Sequence, residues 1–444
     1  MKALIFVLFI KFHLLGQVQL SDNWLILNST NSPLKANRII TFFEDSNKNY
    51  WVSSSDDNSN NFLQSFKNGN WIFYDSTNSP FNHNITVIDI TEDKNGKILF
   101  GTLQNGLFIK NGEVWENINS SNSPLPDDFI YKVKVDKLNR YWFGIPNYGV
   151  CLFDKNSWEF FNYQNSFNGI DDLNFIEIDS LNNVWIGTDY FGLYHYDGSQ
   201  WIESIHSDFI GGDSIKSIVA MAIDSENTKW AAINLFGGGN KIAKSVTDTS
   251  FVFYDNNDWN FSFSFFSYNG LTIGENNTKY FGTTKGLLTF NNGDWNFLNS
   301  SNSPIPANWF NKGLTDSHDN IVYINSHFNS GNEQFNLLFY NPDSVTITSV
   351  STDLLSTIEF NLLQNYPNPF NPSTSIEYRV TSNEYVSLKV FDLLGNEVAT
   401  LVNESKLPGS YQVSFDASGL ASGIYFYRLQ TGSYSQSRKM IILK

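Results

Sequence analysis

Short runs in which apolar and polar positions alternate recur from residue 24 to residue 343, each closed by Asp, Asn or Gly. Period two predicts strands with one buried face, and the closing residues predict tight turns between them. The clearest unit spans residues 179–201, DSLNNVWIGTDYFGLYHYDGSQW. The run 174–178 before it predicts a strand, a; Asp179 with Asn182 is turn chemistry; 184–188 predicts strand b and 192–196 strand c. An Asp-Gly hairpin then leads to Trp201, which opens strand d. Calcium binding through Asp45, Asn47 and Asn49 is the sharper alternative for such a turn, but no copy carries the Gly and terminal Glu of an EF-hand loop.

In this unit Asp179, Trp185 and Gly187 stand at offsets zero, six and eight. The frame recurs at Asp45/Trp51/Ser53, Asp93/Leu99/Gly101, Asp136/Trp142/Gly144, Asp224/Trp230/Ala232, Gly274/Tyr280/Gly282 and Asp316/Val322/Ile324, making seven copies. Steps of 48, 43, 43, 45, 50 and 42 residues suit four short strands per unit. Trp24, Trp71, Trp115, Trp158, Trp201, Trp259 and Trp295 are expected to open the d strands. Since Trp24 precedes the first a strand and no Trp follows the last c strand, residues 24–28 are expected to complete the seventh sheet and close a ring. A competing closure uses residues 344–350.

The pattern resembles the two-component regulator propeller repeats of extracellular sensor regions and secreted bacterial proteins, over about residues 24–343. The third and fourth units match well. The fifth and sixth depart from it, with Ala231-Ala232 after Trp230 and Gly274 in place of Asp. The resemblance implies an all-β fold, a seven-bladed β-propeller. It brings no signalling role, because no later membrane span and no kinase accompany it.

Lys2 followed by ALIFVLFI predicts an export signal over residues 1–19, with cleavage between Gly16 and Ser21. The expected domains are then a propeller at 20–343, a Ser/Thr-rich joint at 344–357 and a module at 358–444. The formal charge of −16 argues against nucleic-acid or anionic-membrane partners, which need clustered Lys and Arg. The single Cys151 cannot form an internal disulfide and is expected to be buried filler.

The b–c loops and the NSP-containing segments 28–34, 75–81, 119–126 and 299–306 are expected to share one face, around the mouth of the central channel. Tyr148, Tyr190, Phe191, Phe236 and Phe328 are loop aromatics there, with Asp189 and His327 beside them. Aromatic faces next to carboxylates and amides suit a glycan or peptide ligand; the alternative is that these rings pack on neighbouring loops. The sequence carries no metal-spaced His pair, no G-x-S-x-G elbow and no Walker loop, so neither a metal nor a cofactor is expected. The acidic pairs Asp127/Asp128 and Asp171/Asp172 are the remaining candidates for acid–base work.

From residue 358 the style changes. YPNPFNP at 366–372, DLLGNEV at 392–398, SGIYFYRL at 422–429 and a closing Lys439-Met440 punctuate six alternating strands, which predicts a small Ig-like β-sandwich. The module resembles the type A carboxyl-terminal sorting domain of the type IX secretion system of Bacteroidetes-related bacteria. The resemblance rests on Tyr366, Pro367, Asn368, Pro369, Phe370, Asn371, Pro372, Gly395, Gly423 and Lys439. It implies the type IX machinery as a partner, a protein released or attached at the outer cell surface, and no integral membrane segment in the mature chain. The sequence therefore leads to an exported propeller that binds or interacts through its channel mouth. Its alternatives are an extracellular glycan-active hydrolase or lyase with its site at that mouth, and a surface-coat component.

Overall fold

The computed structural model describes residues 23–443 apart from 30, 37, 68–69, 155–156, 168, 207–213, 330–331, 344, 346–360, 366, 381–383, 407–408 and 433. The expected signal at 1–19, most of the joint and Tyr366 lie outside the described residues. The chain divides into two compact units, with the boundary between Ser349 and Val350.

The local rule behind the repeat is a turn filled by one carboxylate. Asp179 Oδ1 accepts the backbone N–H groups of Leu181 and Asn183 at 2.9 and 2.8 Å, while Oδ2 accepts the indole N–H of Trp185 at 3.1 Å. Asp45, Asp136 and Asp224 hold Trp51, Trp142 and Trp230 in the same way, at 2.9, 3.2 and 3.3 Å. The residue three positions after the Asp is left-handed, with φ of 71° at Asn182 and 62° at Asn139, which favours Asn or Gly. An offset of six thus places an indole over a turn that its own partner closes. Where the Trp is absent, a Tyr of the next sheet donates to the Asp in its place. Asp93 accepts from Tyr141 Oη at 2.8 Å, and Asp316 accepts from Tyr50 Oη.

The glycine at offset eight is a clearance. A Cβ on Gly187 would stand 2.8 Å from the carbonyl oxygen of Ile218, in the a strand of the next sheet, and 2.1 Å from Cε1 of Phe175, its partner in strand a of its own sheet. Gly101 and Gly282 meet Ile130 O and Phe310 O of the following sheets at the same 2.8 Å. Gly187→Ala is therefore expected to cost about 1–3 kcal/mol through overpacking, read as a lower urea midpoint with unchanged slope. An unchanged midpoint would contradict the close approach.

These units build seven four-stranded antiparallel sheets between Trp24 and Tyr340. Their a strands are Arg38–Glu44, Val87–Glu92, Lys132–Val135, Leu173–Ile178, Ile215–Ile223, Phe266–Ile273 and Trp309–Thr315, and each packs on the next in chain order around a central channel. The ring closes as expected: Trp24–Leu27 pairs with Asn332–Tyr340, Trp24 opposite Tyr340 and Leu27 opposite Leu337. A belt of turn-to-turn bonds follows the same order. Backbone N–H groups of Lys94, Lys137, Ser180 and Glu275 donate to the side chains of Asn139, Asn182, Asn227 and Asp319. Ser46 N–H donates to Glu92, and Ser317 N–H to Glu44, which carries the belt across the closure.

Two sequence expectations need correction. Trp259 does not open a d strand. The fifth sheet ends with Ser250–Tyr254, and Trp259 sits in a single helical turn, Asn256–Trp259, which Asp255 caps reciprocally with Asp258. Its ring is buried against Phe263, Phe266 and Trp295. His327 and Phe328 are not in a loop either, because strand Ile321–Asn329 extends through them and pairs with Asn332–Tyr340.

Cys151 is fully buried, and burial pushes its thiol pKa up, as suits a packing residue.

In the second unit Ser373–Val380, Glu384–Phe391, Glu397–Lys406, Gly409–Asp416, Gly423–Gln430 and Ser435–Ile442, with the two-residue strand Asn361–Leu362, form two sheets over one core. Phe370 of the Asn-Pro segment is buried in that core, and its N–H donates to Ile441 O at 3.1 Å. Asn368 Oδ1 accepts from Ile441 N at 2.9 Å, and Asn365 N donates to Tyr427 Oη at 2.8 Å. Pro367, Pro369 and Pro372 thus accompany a segment laid along the last strand. Gly395, at φ 86°, closes a turn in which Asp392 Oδ1 accepts from Leu394 and Asn396, the propeller's turn in miniature. Gly423 opens the strand whose Phe426 pairs with Lys439.

Candidate functional site

The face bearing the b–c loops carries a cavity of about 360 Å³ whose walls include Phe129, Tyr131, Asp172, Asn174, Asp189 and Tyr268. Asp189 lies against it and accepts from Asn174 Nδ2 at 2.8 Å. Burial raises the pKa of its carboxyl, and the charge of Asp172 adds to that rise, opposed by hydrogen bonds from Asn174 and Tyr268 and by the Lys216 charge.

Two loops clamp on one segment beside this cavity. Tyr190 N donates to Lys216 O and Phe236 N to Ser214 O, both at 3.0 Å. Tyr190 is held left-handed at φ 67° to make that bond. The two rings consequently stack, 5.7 Å between centroids and 20° between planes, and remain 50% and 53% exposed. Exposed stacked rings offer an apolar face that can still accept a third ring or a sugar.

The other expected site residues are less alike. Phe191 is half-buried and fills the place where a Cβ on Gly169 would stand, 2.1 Å from its ring, so it packs a loop. Tyr148 is exposed in the turn that its N–H closes with Ile145 O at 3.0 Å. His327 and Phe328 belong to a strand rather than a loop, and their side chains lie outside the described residues.

Sequence reasoning missed the charges inside the channel. Residues of all seven a strands enclose a second cavity, about 230 Å³, with Glu44, Asp89, Lys132, Lys134, Glu177 and Lys312 in its wall. Lys312 Nζ lies 2.9 Å from Asp89 Oδ1 and 2.7 Å from Thr41 Oγ1, and Lys134 Nζ lies 2.8 Å from Glu177 Oε1. The available signal was Lys132-Val133-Lys134, two lysines on one face of an inner strand, and Lys312 in the register shift between Phe310 and Gly313.

Glu44, Asp316 and His318 bring potential ligand atoms within 4.8 Å of one another. Their closeness follows from the belt: Glu44 accepts from Ser317 N and Oγ, and Asp316 from His318 N, Asn320 N and Tyr50 Oη.

Residues 364–443 match the secretion system C-terminal sorting domain. The chain carries the export module of the type IX secretion system and is thereby a protein secreted or attached at the cell surface. No curated protein sequence matches the chain.

Among solved structures it is similar to PorZ, a surface component of the type IX secretion system of Porphyromonas gingivalis, with TM-score 0.52, 15% identity, and coverage of 92% of this chain and 60% of that one. It is also similar to an extracellular domain assigned to a one-component system of B. thetaiotaomicron, with TM-score 0.55, 16% identity, and coverage of 95% and 59%. A third is virginiamycin B lyase of Staphylococcus aureus, with TM-score 0.51, 13% identity, and coverage of 72% and 99%. The chain therefore spans about 60% of the length of the first two. These likenesses show the fold, a β-propeller. No helix among the described residues is long and apolar enough to cross a membrane.

Proposed function

We propose that the exported propeller is a surface or secreted binding protein that takes a glycan or peptide at the mouth of its channel. The observation that carries this reading is the exposed Tyr190–Phe236 stack beside the Asp189 cavity, held by two loops bonded to one backbone segment. Rings fixed in this way lose little freedom on binding, which is how a preformed site gains affinity. Asn174 and Asp189 supply polar partners at the rim.

The test is a glycan and peptide array probed with the full exported chain and with Tyr190→Ala/Phe236→Ala. Saturable binding that the variant loses by tenfold or more, with an unchanged melting curve, is the expected result. Equal binding by both proteins would move the site elsewhere, and no binding by either would favour the coat role. An Asp189 carboxyl with a raised pKa in a cleft also gives the hydrolase or lyase reading one foothold. Product release from an array ligand, abolished in Asp189→Asn, would select that reading instead.

A further inference from the structure

The cavity of about 230 Å³ is walled by residues that follow those of the Asp189 cavity along the a strands, Lys132 after Tyr131 and Phe175 after Asn174, and it takes in neither Tyr190 nor Phe236. Its wall holds three lysines, Lys132, Lys134 and Lys312, and three carboxylates, Glu44, Asp89 and Glu177, but they are not paired one to one. Lys312 is held by Asp89, and Lys134 by Glu177. Asp89 Oδ2 is further engaged by Val133 N–H at 3.0 Å. Glu44 also borders the cavity, but its two carboxylate oxygens accept from Ser317 N and Oγ at 2.6 and 2.9 Å.

That leaves Lys132. It is only 7% exposed and has no carboxylate within 4.0 Å among the described residues. Its ammonium stands 4.3 Å from the centre of the Tyr131 ring. A buried ammonium without an anion is costly, and two neighbouring ammonium groups add repulsion.

We propose that this cavity binds a small oxyanion, a carboxylate, sulfate or phosphate group, with Lys132 as its principal ligand and Lys134 and Lys312 flanking it. The bound anion then gives Lys132 the close partner that none of the three wall carboxylates supplies. The volume admits an inorganic oxyanion or the acid end of a sugar acid, and Phe42, Phe175 and Leu271 give the rest of the wall an apolar character. In a chain whose formal charge is −16, long-range attraction of anions is absent, so selectivity arises from these three groups at short range.

Proton linkage follows from the same neighbours. Burial lowers the Lys132 pKa and Lys134 lowers it further, against the opposing pull of Asp89 from Val87–Glu92 and Glu177 from Leu173–Ile178. Lys312, from Trp309–Thr315, is itself lowered by burial and by Lys132. An anion favours the protonated amine, so binding takes up protons and weakens as pH rises.

The experiment is calorimetric titration of the full exported chain with sodium sulfate, phosphate and glucuronate, each at constant ionic strength set with chloride. At least one should show a single saturable site whose affinity falls tenfold or more in Lys132→Met and is unchanged in Lys285→Met, an exposed lysine elsewhere. Which of the three binds best identifies the source of the oxyanion. Lys132→Met keeps both ion pairs; should it misfold, Lys132→Gln serves, with the Lys132 side-chain NMR signal of the parent protein as a second readout. No saturable heat with any of the three, or equal affinity in the Lys132 and Lys285 variants, would overturn the proposal. Loss of this site would leave the Tyr190–Phe236 array result untouched, so the two readings fail separately.

Discussion

Asp179→Ala is expected to destabilise the propeller by about 3–5 kcal/mol, the cost of removing one partner from a buried ion pair. Lys229 Nζ lies 3.1 Å from Asp179 Oδ2 and 2.6 Å from Asp248, with side chains of Lys229 and Asp179 only 3% and 0% exposed. The truncation also strips acceptors from two backbone N–H groups and an indole. Asp179→Asn keeps one acceptor oxygen and should fall between the two. In the double variant Asp179→Asn/Lys229→Met the losses should be less than additive, because each single change already removes the Asp179–Lys229 contact. Additive losses in urea denaturation would show that the pair does not couple.

A pH dependence accompanies this. Burial raises the Asp179 pKa, but hydrogen bonds from Asn183, Trp185 and Lys229, and the Lys229 charge, outweigh it, so the folded value is lowered. Asp93 and Asp136 are lowered in the same balance, against their own burial. A lowered folded pKa means stability that is present above the unfolded carboxyl value of about 3.9 and is lost as pH falls through the folded one. Urea midpoints should therefore drop as pH falls below about 4, and less so in Asp179→Asn.

Trp24→Ala carries the second large effect, about 3–5 kcal/mol for truncating a buried Trp. The ring is 5% exposed and lies 4.2 Å from the ring of Tyr340, opposite it in the register. The loss falls on the one strand that joins the beginning of the ring to its end. Deleting residues 23–28 should do more, leaving Asn332–Tyr340 as an open edge able to pair with another chain. Concentration-dependent association on size exclusion, together with the lower midpoint, is the expected pair of observations. A deletion variant that stays monomeric and fully stable would show that closure depends on something other than this strand.

The architecture was legible where its cause is local. Asp, Trp and Gly at offsets zero, six and eight are a carboxylate, the indole it holds and the clearance for the next strand, all within nine residues. Trp259 misled because its spacing imitates a strand opener while the Asp255-Asn256-Asn257-Asp258 run before it caps a helical turn. Lys132 and Lys134 escaped notice because alternation marks their face as polar, and only a ring turns the polar face of an inner strand inward. The meeting of Tyr190 with Phe236 was equally hidden. Each ring is placed by a bond to the Ser214–Lys216 backbone, a contact that depends on adjacent sheets packing at the right angle.

The Lys312–Asp89 pair has an evolutionary corollary. Nearly every other bond between sheets joins consecutive repeats, so a duplicated repeat could be accepted by its neighbours without altering the local chemistry. Lys312 belongs to the last a strand and Asp89 to the second, and their 2.9 Å contact reaches past the sheet of Arg38–Glu44 that lies between them. An extra repeat would widen the channel and part the two charges. The pair is thus matched to the circumference that seven sheets give this ring.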